Sequence, residues 1–154
     1  MTCVSIPFPG PVLALRVGMK TEVATRAVLV VEDEQSIRDV LVELFEVDGN
    51  TVTSAEFLPE ALDKLRTQRF DLIVTDLRLG GKRDGGLQVM ALAGMLSPDA
   101  MVLVLTAYPD DSNRQASFRL GALHFLEKPV DLATIANYAS TVGVRTAFAT
   151  SGRE

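Results

Sequence analysis

Residues 27–34 read AVLVVEDE, five apolar residues followed directly by three acidic ones. A short apolar run without alternating polar positions is typical of a strand that is buried on both faces of a parallel sheet. The stretch therefore favours an α/β fold, in which helices cover both faces of the sheet. The acidic residues Glu32 and Asp33 fall where this strand ends.

The pattern that begins at this strand continues along the chain. Apolar residues recur every three or four positions from Ile37 to Phe45, which predicts an amphipathic helix that ends at Asp48-Gly49-Asn50. Further strands are predicted at 51–54, 71–75, 101–105 and 124–126, and further helices at 59–67, 87–96, 111–120 and 132–139. Five strands alternating with five helices predict a doubly wound α/β fold around a five-stranded parallel sheet.

Composition excludes several classes of protein. With 154 residues, of which 47% are apolar and 23% charged, the chain fits one ordinary folded domain. The net charge of −5 disfavours direct binding to nucleic acid or to anionic membranes. The single cysteine, Cys3, cannot form an internal disulfide. We predict no signal peptide and no membrane span, and hence a cytoplasmic protein.

The chain divides into three parts on this reading. The proline-rich start without periodicity predicts a loose arm over 1–26, and Met19 offers an alternative start of translation. The folded domain is predicted at 27–147 and a polar tail at 148–154. The tail is too short for an output domain, so we expect another molecule to supply the output, whether the chain is a stand-alone regulator or part of a longer protein.

Polar residues stand at the ends of four predicted strands, and they are Glu32 with Asp33, Asp76, Thr106 and Lys128. Ligands of doubly wound sheets bind beyond the carboxyl ends of the strands. Three clustered carboxylates repel each other unless a cation lies among them, and Mg²⁺ suits a site that also holds phosphate oxygens. Asp76 can then attack phosphorus, while Thr106 and Lys128 stabilise the phosphoryl oxygens.

Each of these residues also has a simpler interpretation. Glu32 and Asp33 can begin a solvated helix, where acidic side chains favour the helix dipole. Asp76 can belong to a loop, Thr106 can cap the next helix, and Lys128 can be an exposed surface lysine. The functional interpretation depends on all of them standing at strand ends together.

The chain resembles the receiver domain of bacterial two-component response regulators over 27–144. The matching segments are 30–34, 74–77, 105–107 and 128–129. The separations are also similar to those of the family, with 43 residues from Asp33 to Asp76, 30 from there to Thr106 and 22 more to Lys128. The resemblance implies a flavodoxin-like receiver fold.

The function that this resemblance implies is phosphoryl transfer in signalling. Asp76 would accept a phosphoryl group from a sensor histidine kinase or a phosphotransfer protein in a Mg²⁺-dependent reaction. Glu32, Asp33, Asp76 and the backbone carbonyl of Arg78 would hold the Mg²⁺. The domain would catalyse its own phosphorylation and dephosphorylation without being a turnover enzyme, and it would signal to a downstream protein target by changing conformation.

The resemblance also implies the parts of a conformational switch. Thr106 and Lys128 would sense the phosphate, and Phe125 stands at the position of the family's switch aromatic. Because Phe125 has no hydroxyl, its switching would depend on packing alone. The peptide bond between Lys128 and Pro129 is expected to be cis. Family members pair through the fourth helix, fifth strand and fifth helix, which would allow a homodimer on phosphorylation.

The chain departs from the family between Gly80 and Gly86. Gly80 stands where most members have proline, and the segment is one or two residues longer, which predicts a longer and more mobile loop. Lys82-Arg83 is most simply a solvated loop tip, although the pair would attract an acidic kinase surface. His124, the only histidine, is predicted to be a surface residue beside Phe125 rather than a metal ligand.

Two other functions compete with the phosphoryl switch. A small phosphatase with an aspartyl phosphate intermediate would need a second aspartate two residues after the nucleophile, and Arg78 stands there instead. A receiver-like docking module that takes no phosphate stays open because the Gly80–Gly86 segment borders the site.

Overall fold

The computed structural model describes residues 25–148, and these residues form one five-stranded parallel sheet in the order β2-β1-β3-β4-β5. The strands are β1 Arg26–Val31, β2 Asn50–Ala55, β3 Leu72–Asp76, β4 Met101–Thr106 and β5 His124–Glu127. The helices are α1 Gln35–Phe45, α2 Leu58–Thr67, α3 Gly85–Leu96, α4 Asp111–Arg119 and α5 Leu132–Ser140. The predicted doubly wound fold is confirmed.

The element boundaries differ from the prediction by one or two residues. β1 begins at Arg26, inside the predicted arm, because Arg26 pairs with Asn50 of β2. α3 begins at Gly85 rather than at residue 87. Asp76 pairs with Leu105, so the predicted site residue is the last residue of β3. Most of the predicted arm, 1–24, and the end of the predicted tail, 149–154, lie outside the described residues.

Two apolar clusters fill the space between the sheet and its helices. Alternate residues of a strand point to opposite faces of a sheet, and accordingly Leu29 and Val31 pack on one face while Val28 and Val30 pack on the other. The first cluster includes residues of α2 and α3, and the second includes residues of α1 and α5. This burial on both faces explains the uninterrupted apolar run of β1.

The strand order reverses between β1 and β3. The chain moves from β1 to β2 on one side of the sheet and then returns to β3 on the other side of β1. The connections after β1 and β3 therefore diverge and leave an open edge above the two carboxyl ends, which is where ligands of such sheets bind. Among the described residues, no helix is both long and apolar enough to cross a membrane.

Candidate functional site

Three carboxylates meet at the carboxyl ends of β1 and β3. Glu32 and Asp33 follow β1 directly, Asp76 ends β3, and each offers an oxygen within 4.8 Å of the others. Glu32 is 1% exposed and Asp76 is 8% exposed. The interpretation of Glu32 as a residue of a solvated helix is therefore wrong, because its side chain points into the protein. The loop interpretation of Asp76 is also wrong, since the residue belongs to β3.

Lys128 reaches the same cluster from the end of β5. Its ammonium donates to Oε1 of Glu32 at 2.9 Å and to Oδ2 of Asp76 at 3.1 Å. Its backbone N–H donates to the carbonyl of Thr106, which aligns the ends of β4 and β5. The Lys128–Pro129 peptide bond is cis, as predicted. The surface interpretation of Lys128 is wrong, since only 15% of its side chain is exposed.

Burial and the ion pairs act in opposite directions on the cluster. Burial raises the pKa of the Glu32 carboxyl, and the charge of Asp76 adds to this against the hydrogen bond from Lys128. Burial alone would lower the pKa of the Lys128 ammonium, but its hydrogen bond to Glu32 and the charges of both carboxylates raise it. One ammonium thus serves two buried carboxylates, while Asp33 adds a third negative charge.

The donor set fits a hard divalent cation. All three side chains present carboxylate oxygens, which Ca²⁺ and Mg²⁺ prefer, and no soft ligand joins the cluster. Each of the three carboxylates also accepts a backbone N–H: Glu32 accepts that of Glu34 at 3.1 Å, Asp33 that of Gly80 at 2.9 Å and Asp76 that of Arg78 at 3.3 Å. Because Lys128 offsets only one of the three negative charges, a cation among them would relieve the repulsion that remains.

The segment after β3 forms a tight turn. Leu79 and Lys82 exchange backbone hydrogen bonds in both directions, at 3.0 and 2.9 Å, across Gly80 and Gly81. Both glycines have positive φ, 57° and 82°, as a type I′ turn requires, and this turn is common in two-residue hairpins. Part of the segment that was predicted to be a longer and more mobile loop thus forms a hairpin at residues 79–82. Its Gly80 N–H is the donor to Asp33.

A cleft of about 410 Å³ lies between the segments that follow β3 and β4, and its lining includes Leu77 and Arg78, the two residues after Asp76. Thr106 is buried in its wall, and its Oγ1 accepts the backbone N–H of Tyr108 at 3.0 Å. The guanidinium of Arg78 stacks on the Tyr108 ring at 4.2 Å from the centroid. The cap of α4 is Asp110, whose Oδ1 accepts the Asn113 N–H, so the helix-cap interpretation of Thr106 is wrong.

Comparison with known proteins identifies this arrangement. The model of the response regulator receiver domain family matches residues 28–140. The chain belongs to this family. Its members are signalling domains of two-component systems that are phosphorylated on an aspartate and interact with histidine kinases and downstream effectors. They bind a divalent metal in an acidic pocket, and the cluster of Glu32, Asp33 and Asp76 is the acidic group that this receiver domain offers.

Relatives and solved structures agree with this assignment. Sporulation initiation phosphotransferase F of Bacillus subtilis is 31% identical over 108 residues, which are 70% of this chain and 86% of that protein. A response regulator receiver protein of Anaeromyxobacter is 34% identical over 71% of this chain, and the chain spans 45% of its length. A crystal structure from Burkholderia pseudomallei with a phosphorylated aspartic acid and a calcium ion is 30% identical, with a TM-score of 0.66, covering 82% of this chain and 69% of that chain.

Phe125 and His124 lie on β5, away from the cluster. Phe125 is 8% exposed and packs in the core beside Phe118, with the Arg114 guanidinium 5.0 Å from its ring centroid. His124 is half-buried and stacks on Tyr138 at 3.7 Å, so it is less exposed than the predicted surface residue would be. The pairing of two aromatic rings across β5 and α5 was not visible in the sequence, since the residues are 14 positions apart.

Gly86 is a site residue that the sequence did not reveal. A Cβ at this position would lie 2.4 Å from the carbonyl oxygen of Asp76 and 2.7 Å from Cα of Leu77. The Gly86 N–H also donates to the Leu77 carbonyl at 2.7 Å. The absence of a side chain thus lets the start of α3 press against the end of β3. The available signal was the glycine pair at 85–86, which we interpreted only as part of a mobile loop.

Proposed function

We propose that this receiver domain accepts a phosphoryl group on Asp76, in a Mg²⁺-dependent reaction, from a sensor histidine kinase or a phosphotransfer protein. The observation that carries this proposal is the Asp76 carboxylate itself. It lies within 4.8 Å of two other carboxylates and shares the Lys128 ammonium with Glu32, and the next two residues, Leu77 and Arg78, line a cleft. No other aspartate among the described residues has these neighbours.

The transfer exchanges one phosphorus bond for another. A carboxylate oxygen of Asp76 attacks phosphorus as the bond from phosphorus to the donor nitrogen breaks, and the departing imidazole keeps the electron pair of that bond. Because the other ring nitrogen of the phosphohistidine carries a proton, the imidazole leaves neutral. Glu32, Asp33, Asp76 and the backbone carbonyl of Arg78 would hold Mg²⁺, which neutralises negative charge on the phosphoryl oxygens when it is bound. Lys128 supplies a second positive charge from the end of β5.

The conformational signal would begin at Thr106 and Lys128. The Thr106 hydroxyl oxygen is held by the Tyr108 N–H, and the Lys128 ammonium is shared between two carboxylates. Phosphoryl oxygens on Asp76 would attract the hydroxyl proton and the ammonium together, and this difference in contacts shifts the equilibrium between two conformations. We propose that Phe125, which is buried beside Phe118, repacks in response and changes the surface that a downstream target binds.

A groove on the other side of Lys128 suits the protein that donates the phosphoryl group. It has a volume of about 630 Å³ and lies between α1 and the segment from β5 to α5, with apolar walls that include Ile37, Val40 and Leu132. Val40 is 44% exposed there. Because Lys128 itself lines the groove, a helix that packs in it would carry a phosphohistidine to the side of Asp76. We propose that the kinase or phosphotransfer protein binds in this way.

A docking module that takes no phosphate is the second candidate. The observation that favours it is the hydrogen bond from Gly80 to Asp33, because this N–H occupies an oxygen that a metal would use. The hairpin would then have to move, or the metal would have to use the other carboxylate oxygen. An aspartyl phosphatase would need an aspartate as general acid at position 78, where this chain has arginine. Arg78 therefore disfavours a turnover phosphatase for either candidate function.

Intact-mass measurement after incubation with Mg²⁺ and phosphoramidate tests the acceptor directly. We expect the wild-type chain to gain one phosphoryl group, and we expect no gain in Asp76→Asn or in the presence of EDTA. Asp99→Asn is the matched control, because Asp99 is exposed in the turn before β4 and should be phosphorylated at the wild-type rate. A wild-type chain that takes no phosphoryl group would support the docking module instead.

A further inference from the structure

Two arginines line the cleft beside the proposed acceptor, and the mechanism above does not use their side chains. Arg78 and Arg83 both contribute to the wall of the 410 Å³ cleft that also contains Thr106. Neither guanidinium belongs to any of the ion pairs formed within residues 25–148. Two cations without a carboxylate partner thus line a cleft whose wall also includes Leu77, the residue after Asp76.

Arg78 is fixed at this position by its contacts. Its guanidinium lies over the ring of Tyr108 at 4.2 Å from the centroid, within the range of a cation–π interaction. The backbone N–H of Tyr108 in turn holds the Thr106 hydroxyl oxygen at 3.0 Å. The guanidinium therefore contacts the side chain of a residue whose backbone binds Thr106, and Arg78 and Thr106 line the same cleft.

Arg83 reaches the cleft because of the extra residues after β3. The hairpin at 79–82 reverses the chain, and the Gly85 N–H then donates to the Lys82 carbonyl at 3.3 Å. Arg83 lies between these two hydrogen-bonded positions and is exposed, while its neighbour Lys82 does not line the cleft. Nothing in the sequence distinguishes these two adjacent basic residues, whereas in the structure only Arg83 lines the cleft.

One carboxylate opposes the two arginines. Asp110 also lines the cleft, but its Oδ1 accepts the Asn113 N–H at 2.8 Å and its Oδ2 accepts the Asn113 side-chain amide at 3.0 Å. Both oxygens therefore face the first turn of α4, where a negative charge is favourable. The side chains that line the cleft retain an excess of one positive charge, and the unused donors are the guanidinium N–H groups of the arginines.

We propose that Arg78 and Arg83 bind the anionic leaving group of a small acyl phosphate and so select this class of phosphodonor. This inference rests on the proposed phosphorylation of Asp76. An Asp76 oxygen forms the new bond to phosphorus, the bond from phosphorus to the acyl oxygen breaks, and that oxygen keeps the electron pair, so a carboxylate leaves without any proton transfer. Guanidinium groups bind carboxylates with two parallel hydrogen bonds, which suits this product.

The leaving group separates this proposal from general attraction of anions. Acetyl phosphate releases a carboxylate, whereas phosphoramidate transfers the same phosphoryl group and releases neutral ammonia. A cation that only attracts the phosphoryl group would accelerate both donors alike. A cation that stabilises the leaving group acts on the acyl phosphate alone, since only there does negative charge develop on the departing atom.

The test compares these two donors at equal concentration with Mg²⁺, for the wild-type chain, Arg83→Gln and Lys82→Gln. Phosphorylation is followed by intact mass over time. For Arg83→Gln we expect the rate with acetyl phosphate to fall about two- to fivefold, as befits one exposed charge, while the rate with phosphoramidate stays at the wild-type value. Lys82→Gln removes the same charge from the same hairpin and should change neither rate.

Three outcomes would overturn the proposal. Equal losses with both donors in Arg83→Gln would show that the arginine attracts the phosphoryl group. Equal losses in Arg83→Gln and Lys82→Gln would reduce the effect to the net charge of the hairpin, and an unchanged rate in Arg83→Gln would remove Arg83 from the reaction. If the wild-type chain takes a phosphoryl group from neither donor, the proposed acceptor function fails first, and this result is distinct from the other three.

Discussion

Replacing Asp76 with asparagine should stabilise the metal-free protein while abolishing phosphorylation. Asp76 lies within 4.8 Å of the carboxylates of Glu32 and Asp33 and 3.1 Å from the Lys128 ammonium. At an effective dielectric constant of about 20, charges 4.8 Å apart interact by about 3.5 kcal/mol and charges 3.1 Å apart by about 5.4 kcal/mol. Asp76→Asn removes two such repulsions and one attraction, which leaves a net gain of about 1.6 kcal/mol.

Thermal unfolding followed by circular dichroism measures this gain. In EDTA we expect the Tm of Asp76→Asn to exceed that of the wild type by about 3–6 °C, since a domain of this size shifts by about 2–4 °C per kcal/mol. With Mg²⁺ at a hundredfold excess over its Kd, the wild type should gain about 2.7 kcal/mol. The variant has lost one ligand charge, and we expect it to gain less than about 1.1 kcal/mol, the difference between these two figures, so that the order of the two proteins reverses.

The matched control is again Asp99→Asn, which should change the Tm little with or without Mg²⁺, because Asp99 is exposed and lies outside the cluster. A Tm of Asp76→Asn below that of the wild type in EDTA would refute the reasoning. It would mean that the hydrogen bonds to Asp76 stabilise the fold by more than the repulsion among the carboxylates destabilises it.

Three further predictions concern the same site. Lys128→Met should destabilise the protein in EDTA by about 2 kcal/mol in urea unfolding, less than the 3–5 kcal/mol of a fully buried pair, because Glu32 loses its partner; a change below about 0.5 kcal/mol would contradict this. Gly86→Ala should cost about 1–3 kcal/mol by forcing Cβ against the Asp76 carbonyl, whereas Gly94→Ala, in open space on the same helix, should stabilise by about 0.5–1 kcal/mol. The raised pKa of Glu32 means that the folded protein binds this proton more tightly than the unfolded chain does, so the metal-free free energy of unfolding should fall as the pH rises above 4.5. Mg²⁺ affinity should rise over the same pH range because the ligand loses its proton. Urea unfolding and calorimetric titration at several pH values measure the two effects.

The sequence predicted the sheet and the acidic cluster because each depends on a local pattern. In a strand such as 27–31, apolar side chains point to both faces of the sheet, so both faces must be covered by helices to bury them. Parallel strands also bring their carboxyl ends to one edge of the sheet. Glu32, Asp33, Asp76 and Lys128 follow or end such strands directly. Their clustering could therefore be predicted from the strand positions alone, without the conformation of any loop.

The hairpin at 79–82 could not be predicted in the same way. Two adjacent glycines are compatible with a flexible loop and with a tight turn, and the choice depends on whether the Leu79 and Lys82 backbones face each other. That in turn depends on Gly86, which lets α3 begin close to β3, and on Asp33, which accepts the Gly80 N–H. Asp33 and Gly80 are 47 residues apart, and the need for glycine at position 86 appears only once α3 packs against the end of β3, so no local pattern reveals either contact.

Lys128 would link the proposed metal site to the proposed phosphoryl site, because its one ammonium donates to both Glu32 and Asp76. Metal at Glu32 would compete with its 2.9 Å hydrogen bond to Lys128, and phosphate on Asp76 would offer the same ammonium more negative charge than the carboxylate does. Both events favour movement of Lys128 from Glu32 toward Asp76. The Lys128 backbone is bonded to the Thr106 carbonyl at 2.8 Å, so this movement acts directly on the ends of β4 and β5. Arginine keeps the positive charge but replaces the compact ammonium with a planar guanidinium, which does not have the same hydrogen-bond geometry. We therefore expect Lys128→Arg to be phosphorylated yet to transmit the signal poorly.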